Sequence, residues 1–199
     1  MLNSLSGAIE NLTASDVRLR TAAATEIYRH GRDLAERATA AWWRDEELAR
    51  LLMGDKQIVT VGVAVRRETF ARIREANGSA ELASVPPEQE AEEFELHFGE
   101  NGALDVLTSR EPGGQGAIAR FLERLGEGVQ QVEFQCADVE RATGILRERL
   151  GVKAVYAAAR PGADGTKINF FLVPVDRPTG GTEKVLIELY ERAKLTTQE

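Results

Sequence analysis

The chain has one cysteine, Cys136, and two histidines, His30 and His97. A single thiol builds no intrachain disulfide framework and suits a reducing cytoplasm. With so few imidazoles and thiols, zinc-finger-type sites are excluded. No Ser-His-Asp or Cys-His nucleophile set can be assembled either. A basic surplus is also missing: 25 Lys and Arg face 32 Asp and Glu, a net charge of −7. Nothing in that balance neutralises nucleic-acid phosphates or an anionic bilayer, so neither partner is expected. No run approaches the roughly 18 apolar residues of a membrane span. The N-terminus lacks the basic, long-apolar pattern of a secretion signal. A soluble, cytoplasmic protein is the expectation. Gly113-Gly114-Gln115-Gly116 has neither the Lys-Ser/Thr of a phosphate loop nor a GxGxxG companion, so it reads as a connection. Cys136, in a predicted strand, reads as a buried apolar thiol.

What is present is ordinary for a globular chain: 199 residues, 43% hydrophobic and 29% charged. That length supports one or two domains with a proper core. Residues 1–55 read as helical. Ser15 or Asp16 caps a helix running to His30, and Gly31 stops it. At that position His30 is expected to interact with the helix terminus. A second helix follows from about Asp33 to Met53, ended by Gly54-Asp55. Leu34, Ala38, Trp42, Leu48 and Leu52 are among its apolar residues. The pair forms a helical hairpin, packed on the main domain or on a second copy of the chain. A homodimer through these helices is therefore a possible assembly. Of Trp42 and Trp43, one is expected in the core and the other at an interface.

From residue 56 strands and helices alternate. Strands are predicted over Ile58 to Val65, Phe94 to Phe98, Ala103 to Thr108 and from Val129. Helices are predicted over Glu68 to Ala76, Ala117 to Leu125 and Val139 to Leu150. Three more strands follow, near Ala154 to Ala158, Lys167 to Val173 and Lys184 to Tyr190. Asn101-Gly102 signals a hairpin turn, and Thr179-Gly180-Gly181 another turn. Ser79 to Glu92 reads as a loop or strand edge. The order is strand-helix-strand-strand-strand, given twice. The fold class is therefore α+β: two βαβββ modules forming a curled mixed sheet around a cleft, after an N-terminal helical hairpin. The division is residues 1–55 helical, then 56–199, with a first module at 56–110, a linking helix at 111–127 and a second module at 128–191. Alternation along the first strand sends Val61, Val63 and Val65 to a helix and Thr60, Gly62 and Ala64 to the cleft.

Three stretches carry a likeness. They are Gly128-Val129-Gln130-Gln131-Val132, Arg160-Pro161-Gly162-Ala163-Asp164-Gly165-Thr166-Lys167-Ile168-Asn169-Phe170, and Val185-Leu186-Ile187-Glu188-Leu189. Together with Ala117-Ile118-Ala119-Arg120-Phe121-Leu122 they resemble the vicinal-oxygen-chelate superfamily of glyoxalase and bleomycin-resistance proteins. The nearest look is to the methylmalonyl-CoA epimerases. The resemblance spans about residues 57 to 191 and leaves the N-terminal helices outside. It implies four ligands around one divalent cation, drawn from the first and last strands of each module. Carried over, these are Thr60, Asp105, Gln131 and Glu188. The epimerase pattern has His at the first and third positions, Glu or Gln at the second and Glu at the fourth. Asp105 and Glu188 suit that pattern; Thr60 and Gln131 depart from it. Losing both imidazoles weakens any site for Co, Ni, Zn or Fe. The remaining oxygens suit Mg, Mn or Ca, so a divalent cation (Mg, Mn or Co) or none is expected.

The same strands offer ligand-lining residues. Gln131, Glu133 and Gln135 share one face, and Tyr190 shares a face with Glu188. The resemblance also implies a cleft glutamate acting as base at a substrate α-carbon. The matching region is Glu88 to Glu93, with Glu90 and Glu92 as candidates. His97 alternates with Phe94, Leu96 and Phe98 and so faces away from them. It reads as a surface residue or as a cleft ligand or base. Two functions follow. One is a glyoxalase-like small-molecule binding protein with a degenerate metal site. The other is a divalent-metal-dependent epimerase or lyase acting on an α-carbonyl or acyl-CoA thioester substrate.

Overall fold

A computed structural model describes residues 2–54, 57–99, 102–177 and 180–192. Asp55, Asn101 and Thr179, each expected in a turn, lie outside the described residues. So does the expected boundary at 55/56. Helices α1 (Leu2–Asn11), α2 (Val17–Thr39) and α3 (Glu46–Leu51) precede the sheet. Strand β1 (Val59–Ala64) and helix α4 (Arg67–Ala76) follow, then β2 (Ala91–Phe98) and β3 (Gly102–Ser109). Helix α5 (Ala117–Leu125) links to β4 (Gly128–Gln135), α6 (Val139–Arg149), β5 (Arg160–Pro161), β6 (Lys167–Asp176) and β7 (Thr182–Glu191). The strands form one seven-stranded mixed sheet in the order β2-β3-β1-β4-β7-β6-β5. The α+β class and the curled sheet after N-terminal helices are as the sequence suggests.

The N-terminal helices differ from expectation in layout. Asp16 is the cap of α2, its carboxylate accepting from Arg18 N at 2.8 Å. The helix then runs through His30 and Gly31 to Thr39 instead of stopping. His30 is therefore not at a helix terminus. Gly31 is buried inside α2, and a Cβ added there would lie 2.5 Å from Cγ1 of Val61. Ala23, Ala24, Ile27, Ala35 and Ala38 are buried along the same stripe. Small side chains let the helix axis approach the sheet closely. The packing gained offsets the roughly 1 kcal/mol that glycine costs inside a helix. The hairpin partner of α2 is α1, on its N-terminal side.

One contiguous core joins α2, α4 and α6 to the convex face through Val61, Val63, Phe94, Val106, Phe171 and Leu189. Trp42 is buried there, edge-on to Phe171 at 5.7 Å. Trp43 is half-buried against Phe134 at 6.4 Å. Arg141 and Arg149 of α6 clasp Glu47, and Arg149 also holds Asp45 at 3.0 Å. These surface pairs add little stability, but they place α3 against the second module.

One expected strand is not formed as such. Ala154 to Ala158 makes only an isolated bridge, Ala154 with Phe171. The reason is Asn169, whose amide donates to Tyr156 O at 3.2 Å and accepts from Tyr156 N at 3.3 Å. A side chain here takes the backbone groups a ladder would need. In the first module, Ser79 to Glu90 contains no strand and only a short helical turn, so that module has three strands. The segment instead crosses toward the second module. Ser84 N donates to Asp164 Oδ1 at 2.8 Å, and Gln89 Nε2 donates to Pro161 O at 3.1 Å.

Candidate functional site

The strand register creates a pseudo-two-fold at the centre of the sheet. β1 and β4 pair antiparallel around Val61 opposite Val132. Thr60 then lies opposite Glu133, and Gly62 opposite Gln131. On the outer sides Asp105 of β3 lies beside Gly62, and Glu188 of β7 beside Glu133. Glu95 of β2 is paired with Asp105. Because strand side chains alternate, the residues flanking the core-facing valines turn to the concave side. Glu93, Glu95, Asp105, Gln131, Glu133 and Glu188 therefore share that face.

The face is acidic, buried at its centre and open toward Glu95. Asp105, Gln131, Glu133 and Glu188 are each at most 9% exposed. A second small core covers the neighbouring end: Ala64, Val85, Ala91, Leu107 and Ile118, with Ala83 and Ala163 against it. Gln131 is the hub. Its Nε2 donates to Glu188 Oε2 at 2.7 Å and to Glu133 Oε1 at 3.1 Å. Burial pushes Glu93 up to about 8, with the charges of Glu133, Asp164 and Glu95 adding to it. Burial likewise pushes Glu133 up to about 7, opposed by its bond from Gln131. Burial, then repulsion from Glu93 and Glu133, holds Asp105 well above the usual carboxylate range. Burial, then Glu133 and Glu93, does the same to Glu188. Asp105, beside them, slightly opposes the rise at Glu133. Carboxyls so close cannot all ionise, and they share protons as a coupled group.

The arrangement does not fit a transition-metal centre. The centre of the two middle strands carries Thr60 and Gln131 and no imidazole, and Gln131 turns a donor NH2, not an acceptor, toward two carboxyl groups. Among the described residues, no three His, Cys, Asp or Glu side chains are disposed to hold a metal ion.

The expected site residues are partly brought together. Thr60, Asp105, Gln131, Glu133 and Glu188 surround the centre, and Tyr190 and Gln135 pair across β7 and β4 at its edge. Burial pushes the Tyr190 phenol up to about 12, and Gln135 Oε1 has no hydrogen-bond partner among the described residues. Glu90 and Glu92 lie elsewhere. Glu90 ends a helical turn at φ 53° with its carboxylate near Gly116. Glu92 alternates out of phase with Glu93 and meets Arg67 at 3.6 Å. His97 is exposed and pairs with Glu95 at 3.1 Å. Glu93 and Glu95 are the acids sequence reasoning passed over. The apolar alternation of Phe94, Leu96 and Phe98 already held that signal.

No protein-family model matches the chain, and no curated protein does. Solved structures do. Methylmalonyl-CoA epimerase from Mycobacterium tuberculosis aligns at 29% identity and a TM-score of 0.52, over 67% of this chain and 86% of the other. A methylmalonyl-CoA epimerase solved with methylmalonyl-CoA and NH4+ aligns at 26% and 0.54, over 70% and 96%. A hypothetical protein from Bacillus halodurans aligns at 20% and 0.55, over 72% and 100%, and shares the fold alone. The structural neighbours are methylmalonyl-CoA epimerases. The curled sheet is similar to the sheet of these epimerases. No described helix is long and apolar enough to cross a membrane.

Proposed function

We propose that the protein is a glyoxalase-like small-molecule binding protein that uses the concave face of its sheet. The observation that carries this reading is the buried polar cluster on that face, centred on Gln131. Buried polar groups without an apolar substitute cost stability, so a fold that keeps them there has a use for them. Gln131, Glu133, Gln135 and Tyr190 supply hydrogen-bond donors and acceptors for a ligand. The Ser79–Glu90 segment and the 160–165 turn, joined through Ser84 and Asp164, border one end of that face. The test is a thermal-shift screen with carbonyl acids, acyl-CoA thioesters and amines. A ligand that raises the melting temperature of the wild type but not of Glu188→Gln or Tyr190→Phe supports the reading. No shift across the panel counts against it.

A second reading is favoured by the epimerase neighbours and by two acids that titrate near neutrality, Glu93 and Glu133. Such groups serve general acid–base catalysis. One carboxylate would remove the proton α to a thioester carbonyl while a neighbouring carboxyl returned one. Incubation of methylmalonyl-CoA with the protein in deuterated water tests it. Deuterium at the α-carbon, lost in Glu133→Gln, supports the enzyme; binding without exchange leaves the binder.

A further inference from the structure

We propose that the Gln131 side-chain amide is a built-in substitute for a cation, so that this cleft is held together by hydrogen bonds and needs no metal. The inference concerns the same face but not the identity of the ligand, and it stands or falls separately from the reading above. Three observations carry it.

First, both amide protons are used. Nε2 reaches Glu188 Oε2 at 2.7 Å and Glu133 Oε1 at 3.1 Å, bridging one oxygen of each carboxyl. A cation between carboxylates does the same job with charge; an NH2 group does it with two directed donors. Second, the sheet is notched to receive this side chain. A Cβ added at Gly62 would lie 2.5 Å from Gln131 Cγ and 3.1 Å from Leu107 Cδ1. The stem of Gln131 thus occupies the space where residue 62 has no side chain, and that contact aims the amide. Third, the two-fold mates are unequal. Thr60 mirrors Gln131 and Gly62 mirrors Glu133 about the Val61–Val132 pair. At these central positions of β1 and β4, module two supplies the long polar groups and module one supplies the room. A metal ring of the two-fold kind draws donors from both sides, whereas a one-sided bridge does not need them.

The test uses the full chain and compares wild type, Gln131→Leu, and the double variant Thr60→His with Gln131→His. Metal content is measured by mass spectrometry after purification, and Co2+ is titrated by visible absorption and thermal shift. The wild type is expected to carry no stoichiometric divalent metal and to show no saturable Co2+ response. The double variant is expected to gain saturable Co2+ binding with visible absorption. Gln131→Leu, which keeps the packing and removes the amide, is expected to lower the urea midpoint without any metal present. One divalent ion per wild-type chain, lost in Gln131→Leu, would overturn the proposal. So would a double variant that folds by circular dichroism yet ignores Co2+, or a Gln131→Leu variant as stable as wild type.

Discussion

The two modules share a register but not a chemistry. At matched positions the first carries Thr60, Gly62 and Asp105, and the second carries Gln131, Glu133 and Glu188. On the convex side the same mapping pairs Phe94 of β2 with Asn169 of β6, because each faces the matched position of its last strand. Phe94 is buried edge-on to Phe70 of α4, with ring centroids 4.9 Å apart. Asn169, just as buried, spends its amide on the loop at Tyr156. A backbone repeat therefore does not force a side-chain repeat. Each half solves its own packing once the ladder is set, and the unequal halves interlock at Gly62.

Phe94 and Asn169 give the largest test of that comparison. Phe94→Ala should cost about 3–5 kcal/mol by emptying an aromatic site in the core. Asn169→Ala should cost about 1–3 kcal/mol by leaving Tyr156 backbone groups unpaired. Urea denaturation measures both, and equal losses would mean the two halves are held alike. Gly62→Val comes next. It pushes Gln131 from its notch and should cost about 1–3 kcal/mol as overpacking. Thr60→Val, at the buried mate of Gln131, keeps the side-chain shape and should cost less, and thermal melts compare them.

The last comparison is in pH dependence. Glu133 and Glu93 titrate near 7 and 8 in the folded chain, against an ordinary 4.5. A carboxyl whose folded pKa is raised binds more protons folded than unfolded between those values, so stability falls as pH rises. The contribution of the cluster is fully present below about pH 4.5 and is lost as pH climbs through 7 to 8. Urea midpoints taken across roughly pH 5 to 9 should decline, and Glu133→Gln should flatten the slope near 7. A slope unchanged by that substitution would detach Glu133 from the cluster.

Much of the fold was legible. Period-two alternation marked the strands, and Asp16, one of two candidate caps, marked the start of α2. Gly31 was not legible, because a glycine that ends a helix and one that admits a neighbour look the same in one dimension. Ala154 to Ala158 has a strand's composition, yet Asn169, distant in sequence, claims its backbone. The site was half legible. Gln131 and Glu188 could be placed by their strands, whereas Glu93 and Glu95 needed the pairing of β2 with β3 to bring them beside Asp105.

By itself the sequence determined the order of strands and helices, the split of each strand into an apolar and a polar face, and the shortage of imidazole and thiol donors. Those are local properties, set by side-chain type and a two-residue or 3.6-residue period. Only the tertiary structure decided that α2 passes unbroken over the sheet, that the acids of separate strands meet, and that one amide bridges them over a glycine. Each depends on register and close approach between distant segments, which no local pattern encodes.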